Sequence, residues 1–165
     1  MLAAYLLGAI PFAYLAGRLL RGIDIRQHGS GNVGATNVLR VLGTGPGAVV
    51  LLLDIAKGWL AAAWLPSLGA GSAAAAFVSN SVSDHAWWPC ALGLAAVLGH
   101  SYTVFLGFKG GKGVASSAGV FLGLAPLATG TVLGIFALVL LITRMVSAGS
   151  LAAAAVLPVA VALYG

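Results

Sequence analysis

The sequence predicts an all-helical, polytopic membrane protein with about six transmembrane helices. Of its 165 residues, 61% are hydrophobic and 7% are charged, whereas soluble domains carry roughly 25% charged residues. Several apolar runs are long enough to cross a bilayer as helices. Six of the eight lysines and arginines lie between these runs, as expected for cytoplasmic loops. We therefore expect one integral membrane domain over residues 1–165.

Charge and cysteine content narrow the function classes further. Cys90 is the only cysteine, so neither a disulfide framework nor a cysteine metal cluster is expected. The net charge of +5 is better explained by cytoplasmic loops than by nucleic-acid binding. The first apolar run lacks a basic segment before it, so we expect no cleavable signal peptide.

The first predicted span covers residues 2–20 and contains Pro11. Membrane helices tolerate an internal proline better than soluble helices do. The span ends in Arg18, Arg21 and Arg26, which places this end in the cytoplasm and the N-terminus outside.

A polar loop over residues 22–43 follows the first span. Gly29, Gly31 and Gly34 match the dinucleotide fingerprint G-x-G-x-x-G. That fingerprint requires a preceding strand in a βαβ unit, and no such strand is predicted here, so we reject a nucleotide site.

The same loop carries a group of polar side chains. They are Ser30, Asn32, Thr36, Asn37 and Arg40. Residues 34–42 suit a short helix, and residues three and four apart are neighbours on a helix surface. We therefore expect Thr36, Asn37 and Arg40 on one side of this helix, within a functional site.

The second predicted span, residues 45–65, contains Asp54 and Lys57 in its apolar middle. Ionisable groups inside a membrane segment are costly and usually pair or line a functional cavity. Two interpretations remain open: an ion pair that neutralises itself, or a direct role in a site. Residues 67–84 contain no lysine or arginine, so we expect an external segment whose alanine-rich middle forms a short helix.

The third predicted span covers residues 86–106. Trp87 and Trp88 at its start fit the aromatic belt of the outer interface, and His100 lies near its inner end. A lone histidine at such a place is more often structural than catalytic. Both interpretations remain open, since no partner for His100 is evident in the sequence.

Residues 108–113 read Phe-Lys-Gly-Gly-Lys-Gly and form a basic, glycine-rich loop. Glycines allow a backbone to bend tightly and to bring its N–H groups close to an anion. Lys109 and Lys112 add positive charge, and a helix that starts near Val114 would point its positive end at the same place. The loop therefore predicts a phosphate pocket.

The apolar stretch over residues 114–143 is too long for one untilted span. We predict two helices that meet near Pro126, which returns Arg144 to the cytoplasm. Residues 144–150 then form a third cytoplasmic loop that includes Ser147. Residues 151–164 form a last apolar run, barely long enough to span.

These loops together predict one composite site that faces the cytoplasm. It offers cations, hydroxyls and backbone amides, while the chain has only three acidic residues and no histidine, cysteine or acid set at metal-ligand spacing. Such a site would position phosphates and stabilise developing charge. Its place in the membrane suggests a substrate with an acyl chain. The residues by themselves thus indicate a phosphate-handling membrane protein.

The order of the motifs resembles the bacterial acyl-phosphate-dependent glycerol-3-phosphate acyltransferases, the PlsY family. The matching stretches are residues 5–12, 29–40, 53–58, 99–100, 105–115 and 143–150. The resemblance implies acyl transfer from acyl phosphate to the 1-hydroxyl of glycerol 3-phosphate, which yields lysophosphatidic acid and phosphate. It also implies a multi-pass protein of the bacterial inner membrane, with membrane lipid as a partner, no cofactor or metal and no nucleic acid.

The resemblance also assigns roles to residues. Ser30, Arg40 and Lys109 are the expected catalytic residues. The expected substrate-binding residues are Asn32, Thr36, Asn37, Gly110, Gly111, Lys112, Gly113 and Ser147. His100 and Lys57 are further candidates. No acyl-enzyme is expected in this family, so Ser30 would orient the substrate; its alternative role is that of a helix cap or turn residue.

This chain departs from the family pattern at two places. Thr103 stands where the family usually has proline, and the family continues beyond residue 165 into another motif. We therefore expect a C-terminally truncated domain that lacks a further helix. The alternatives from other classes are a transporter or binding protein for phosphate esters, and a non-catalytic scaffold that binds anionic head groups.

Overall fold

The computed structural model describes residues 1–69 and 87–164, and all regular structure in these ranges is helical. The helices are α1 Leu2–Ala9, α2 Phe12–Arg21, α3 Ala35–Leu42, α4 Thr44–Trp59, α5 Leu65–Gly69, α6 Trp87–Ser101, α7 Val114–Leu124, α8 Pro126–Thr143 and α9 Val146–Tyr164. A π-helical turn, Leu60–Trp64, joins α4 to α5, and 3₁₀ turns lie at Ile25–Gln27 and Val104–Leu106. The predicted external segment, residues 67–84, lies outside the described residues from residue 70 onward.

Within the described residues, six apolar helical segments confirm the polytopic, all-helical fold. Five are long and apolar enough to cross a membrane: Leu2–Arg21, Thr44–Leu68, Trp87–Leu106, Pro126–Thr143 and Val146–Tyr164. The sixth, Val114–Leu124, is shorter. The predicted short helix in the first loop is also confirmed, as α3.

The first span differs from the prediction because Pro11 interrupts it between α1 and α2. Proline lacks a backbone N–H, and its ring clashes with the preceding helical turn. Two carbonyls at the break find side-chain partners: Thr103 Oγ1 donates to the Ala9 carbonyl at 2.6 Å, and Lys57 Nζ donates to the Ile10 carbonyl at 3.0 Å. Irregular backbone at membrane depth is tolerated where the protein itself satisfies it in this way.

Small residues bring α4 and α7 into close contact. A Cβ on Gly58 would overlap the Ser116 carbonyl, one on Gly119 would overlap the Ile55 carbonyl, and one on Gly123 would lie 3.4 Å from the Ala62 Cβ. Small residues commonly permit such close approach between membrane helices. Gly123, near the end of α7, lies against the π-helical turn that follows α4, whereas Ser116 and Gly119 lie against α4 itself, so α4 and α7 run in the same direction. The loops that precede them therefore lie at the same end of the bundle.

The chain between residues 114 and 143 forms two helices, as predicted, with the break at Ala125 immediately before Pro126. The last helix differs, because α9 begins at Val146. The prediction of a loop over residues 144–150 is therefore wrong beyond Met145. Arg144 adopts a left-handed conformation with φ of 58° that ends α8, and the Thr143 hydroxyl accepts a hydrogen bond from the Met145 N–H.

Candidate active site

The lysine loop is anchored to the C-terminal end of α6. The Gly110 N–H donates to the Ser101 carbonyl at 3.0 Å, and the Gly111 N–H donates to the His100 carbonyl at 3.1 Å. These bonds satisfy carbonyls that a helix end leaves without partners. The expectation that the N–H groups of Gly110 and Gly111 face an anion is therefore wrong, because the protein itself uses both groups.

Both glycines are needed because the loop backbone lies directly on its neighbours. A Cβ on Gly110 would overlap the His100 carbonyl, and a Cβ on Gly111 would overlap both the His100 ring at Nε2 and the Val33 carbonyl. Val33 belongs to the first polar loop. The structure thus brings the first loop and the lysine loop into contact, as the prediction of one composite site requires.

The positive end of α7 follows this contact immediately. Gly113, at φ of 75°, precedes the first residue of α7, and no side chain among the described residues caps this end. The first N–H groups of any helix have no partner within the helix and carry partial positive charge. Lys109 and Lys112 are both exposed beside it. This end of α7 and the two ammonium groups form an arrangement suited to a phosphate.

The buried side chain of Asn37 forms hydrogen bonds with three backbone groups of the first loop. The residue is 1% exposed. The amide nitrogen donates to the Ile25 and His28 carbonyls, and the amide oxygen accepts from the Ser30 N–H at 2.8 Å. The prediction that Asn37 shares one side of α3 with Thr36 and Arg40 is therefore wrong, because it faces inward.

The other polar residues of the first loop are accessible. Ser30, Thr36 and Arg40 are exposed, and Asn32 is half-buried. Gly34 precedes α3, and no side chain among the described residues caps the helix there. Val33, which contacts the lysine loop, is the neighbour of Gly34. The uncapped ends of α3 and α7 therefore lie within a few residues of one contact point.

Ser147 lies in a helix and not in the predicted loop. It is exposed in the first turn of α9, a helix that packs mainly against α8. Gly149 in the same turn lies against the Phe136 ring. The membership of Ser147 in the site stays a prediction.

Asp54, Lys57 and His100 form a buried cluster beneath the lysine loop. Lys57 Nζ lies 2.8 Å from Asp54 Oδ1, and both side chains are 2% exposed. The His100 Nδ1 lies 3.5 Å from the same oxygen. The ion pair, one of the two interpretations that the sequence left open, is present, and Asp54 is a charged neighbour of His100 that the sequence did not reveal. The sequence does carry a signal for such a contact, because charged residues in an apolar span usually pair with other polar groups.

A second carboxylate fixes the start of the first loop. Asp24 accepts hydrogen bonds from the Arg26 side chain, the shortest 2.7 Å long, and Arg18 lies 3.9 Å away. The hydrogen bond from Arg26 is the largest cause that lowers the pKa of Asp24 from 3.8 to about 2. Both guanidinium groups also lie over the Tyr14 ring. These arginines therefore anchor the loop to α2.

An apolar groove of about 340 Å³ lies beside the break in the first span. Its lining residues are Ile10, Pro11, Tyr14, Leu15, Phe105 and Leu106. Phe105 and Leu106 lie shortly before the lysine loop in the chain. The groove therefore offers an apolar surface close to the polar end of the bundle.

Comparison with known proteins places this architecture in a family. The model of the glycerol-3-phosphate acyltransferase family matches residues 1–164. A glycerol-3-phosphate acyltransferase of Chlorobaculum tepidum is 48% identical over 163 residues, which are 99% of this chain and 69% of that protein. One from Synechococcus elongatus is 50% identical over 153 residues, which are 93% of this chain and 70% of that protein.

Two crystal structures of PlsY, an integral membrane glycerol 3-phosphate acyltransferase, share the fold. Its glycerol 3-phosphate form has a TM-score of 0.83 at 38% identity, over 99% of this chain and 75% of that one. Its lysophosphatidic acid form has a TM-score of 0.80 over 98% and 74%. The chain is thus an integral membrane protein and belongs to the glycerol-3-phosphate acyltransferase family.

Proposed function

We propose that this acyltransferase moves an acyl group from acyl phosphate to the 1-hydroxyl of glycerol 3-phosphate, which yields lysophosphatidic acid and phosphate. Family membership supports the acceptor and the reaction class. The order of the motifs along the chain supports acyl phosphate as the donor. Membership in an enzyme family also favours this function over a transporter or a scaffold.

The observation that carries the proposal is the contact between the two polar loops at Val33 and Gly111. It places two uncapped helix ends, those of α3 and α7, near each other. Lys109, Lys112 and Arg40 are exposed in the same segments. Both substrates carry a phosphate, and helix ends with cationic side chains are a common phosphate-binding arrangement.

The proposed chemistry is direct transfer. The oxygen of the 1-hydroxyl attacks the acyl carbon and forms the ester bond, while the bond between that carbon and the phosphate oxygen breaks. The hydroxyl proton passes to a substrate phosphate oxygen. Lys109 and Arg40 stabilise the charge that develops on the phosphate, and Ser30 orients the acceptor. Asn32, Thr36, Lys112, Gly113 and Ser147 complete the binding surface.

The apolar groove supplies a place for the acyl chain. It lies between the break in the first span and the 3₁₀ turn that precedes the lysine loop. An acyl chain in this groove would have its phosphate end toward Lys109. Membrane lipid would cover the exposed apolar faces of the outer helices.

We also place the site on the cytoplasmic side of the bacterial inner membrane, because the basic residues cluster at the loops that precede α4 and α7. A Cys90→Ala, Lys109→Cys variant tests this orientation in intact cells. A membrane-impermeant maleimide should label it only after the inner membrane is opened. Labelling of intact spheroplasts would place the loop outside.

The transfer itself is tested with detergent-purified protein and radiolabelled glycerol 3-phosphate. Palmitoyl phosphate or palmitoyl coenzyme A is supplied as the donor. We expect label in lysophosphatidic acid with the phosphate donor alone. Label in lipid only with the thioester would overturn the donor assignment. No lipid product from a folded sample with either donor would overturn the proposed function.

A further inference from the structure

The cluster of Asp54, Lys57 and His100 has no direct part in the proposed chemistry, yet it is buried beneath the lysine loop. Lys57 is tied to Asp54 Oδ1 and to the Ile10 carbonyl at the helix break. The pair balances its own charge. The approach of a third polar group, the His100 Nδ1 at 3.5 Å from Asp54 Oδ1, is therefore not needed for charge balance.

The opposite edge of the His100 ring lies against the lysine loop. A Cβ added to Gly111 would overlap Nε2 of the ring, and this Cβ would also overlap the Val33 carbonyl. The His100 side chain is 7% exposed, so the ring fills the space between Asp54 and the backbone of Gly111. The His100 carbonyl also accepts the Gly111 N–H. One residue thus holds the loop through its ring and through its backbone.

We propose that His100, packed between Asp54 and Gly111, is a positioning residue that sets the lysine loop against the first loop. This inference rests on the proposed function, because these loops are the segments that would hold the substrate phosphates. His100 acts as a spacer and does not touch the substrate. Asp54 Oδ1 lies 3.5 Å from Nδ1 and limits the movement of the ring away from the loop, and Lys57 supplies the counter-charge that a buried carboxylate requires.

Steady-state kinetics of three variants test this role. His100→Ala removes the spacer, and a misplaced phosphate loop should lower kcat/KM for glycerol 3-phosphate by about 10²-fold, mainly through KM. His100→Gln places an amide near the position of Nε2 and should recover most of the loss. Asp54→Asn keeps the shape of the carboxylate. It should raise KM, as His100→Ala does, but to a smaller extent.

The kinetic pattern separates positioning from other roles. If His100 were the catalytic base, His100→Gln would lose kcat as fully as His100→Ala, which would overturn the proposal. If His100 only stabilised the fold, its variants would have lower melting temperatures but a normal KM in the folded fraction, which would also overturn it. Gly45→Ala is the matched control, because no atom lies within 4 Å of the added Cβ.

Limited trypsin digestion provides a readout that does not depend on activity. Lys109, Lys112 and Arg144 are exposed cleavage sites. In His100→Ala the cuts after Lys109 and Lys112 should come several-fold faster than in the wild type, because the loop has lost its support. The cut after Arg144 is the internal reference and should not change. Unchanged cleavage at the loop would overturn the proposal, even if the wild type proved inactive as an acyltransferase.

Discussion

The amide oxygen of Asn37 accepts a hydrogen bond from the backbone N–H of Ser30 at 2.8 Å, while the amide nitrogen holds two carbonyls of the same loop. A buried side chain therefore determines where an exposed, candidate catalytic serine lies. Ser30 depends on α3 for its position although it precedes this helix in the chain.

Asn37→Ala should destabilise the protein and reduce its activity. The change removes the acceptor of the Ser30 N–H, whereas the Ile25 and His28 carbonyls still accept from the backbone N–H groups of His28 and Gly31. A partly buried donor left without a partner costs about 1–3 kcal/mol of unfolding free energy. Thermal unfolding in detergent and acyl transfer by the surviving folded protein measure the two effects. Thr36→Ala, on the exposed side of α3, should alter stability by less than about 0.5 kcal/mol. An Asn37→Ala variant as stable as Thr36→Ala would contradict the assigned role.

Lys57→Met should be among the more damaging single changes in the membrane-spanning region. It leaves Asp54 buried without its partner and removes one of the two hydrogen bonds to the Ile10 carbonyl. Loss of one partner of a buried ion pair costs about 3–5 kcal/mol. Lys112→Met makes the same chemical change at an exposed position and should leave the melting temperature nearly unchanged. The double variant Asp54→Asn, Lys57→Met should recover part of the loss. Equal melting temperatures for Lys57→Met and Lys112→Met would argue against a structural ion pair.

Gly119→Ala should weaken the packing of α7 on α4. The added Cβ would overlap the Ile55 carbonyl, and overpacking of this kind costs about 1–3 kcal/mol. Gly134→Ala is the control in α8, because nothing lies within 4 Å of its Cβ. A lower melting temperature for Gly119→Ala alone is the expected result. Similar effects of both changes would show that the two helices are not in close contact.

Asp24 should make stability depend on pH at the acidic end. Its folded-state pKa of about 2 lies below the ordinary value of 3.8, so its contribution is present above pH 4 and is lost as the pH falls toward 2. The wild type should therefore melt at a higher temperature than Asp24→Asn near neutral pH. This difference should shrink as the pH approaches 2. A difference that stays constant over this range would exclude the carboxylate as its source.

Much of the fold follows from local sequence signals. Apolar run length predicts the six segments, the proline at position 126 predicts the break before α8, and glycine followed by a helical pattern predicts α3. Asp54 and Lys57 are three residues apart and therefore neighbours on one helix, so the sequence already offers an ion pair as one interpretation of the second span. These features depend on residues close together in the chain.

Long-range contacts account for most of what the sequence did not predict. The break at Pro11 persists because Thr103 and Lys57, from distant helices, satisfy its carbonyls. The N–H groups of Gly110 and Gly111 are occupied because the end of α6 lies beneath them. Glycine spacing alone cannot distinguish a loop that exposes its amides from one that packs its backbone tightly.

Phosphate release from palmitoyl phosphate, measured with and without glycerol 3-phosphate, tests the central claim most directly. The wild type should release phosphate only when the acceptor is present. Lys109→Ala and Ser30→Ala should each reduce this release by about 10²-fold, while Arg21→Ala, which removes an exposed cation at the end of α2, should not. Acceptor-independent release, or full activity in both loop variants, would contradict the proposal that the two loops form one acyl-transfer site.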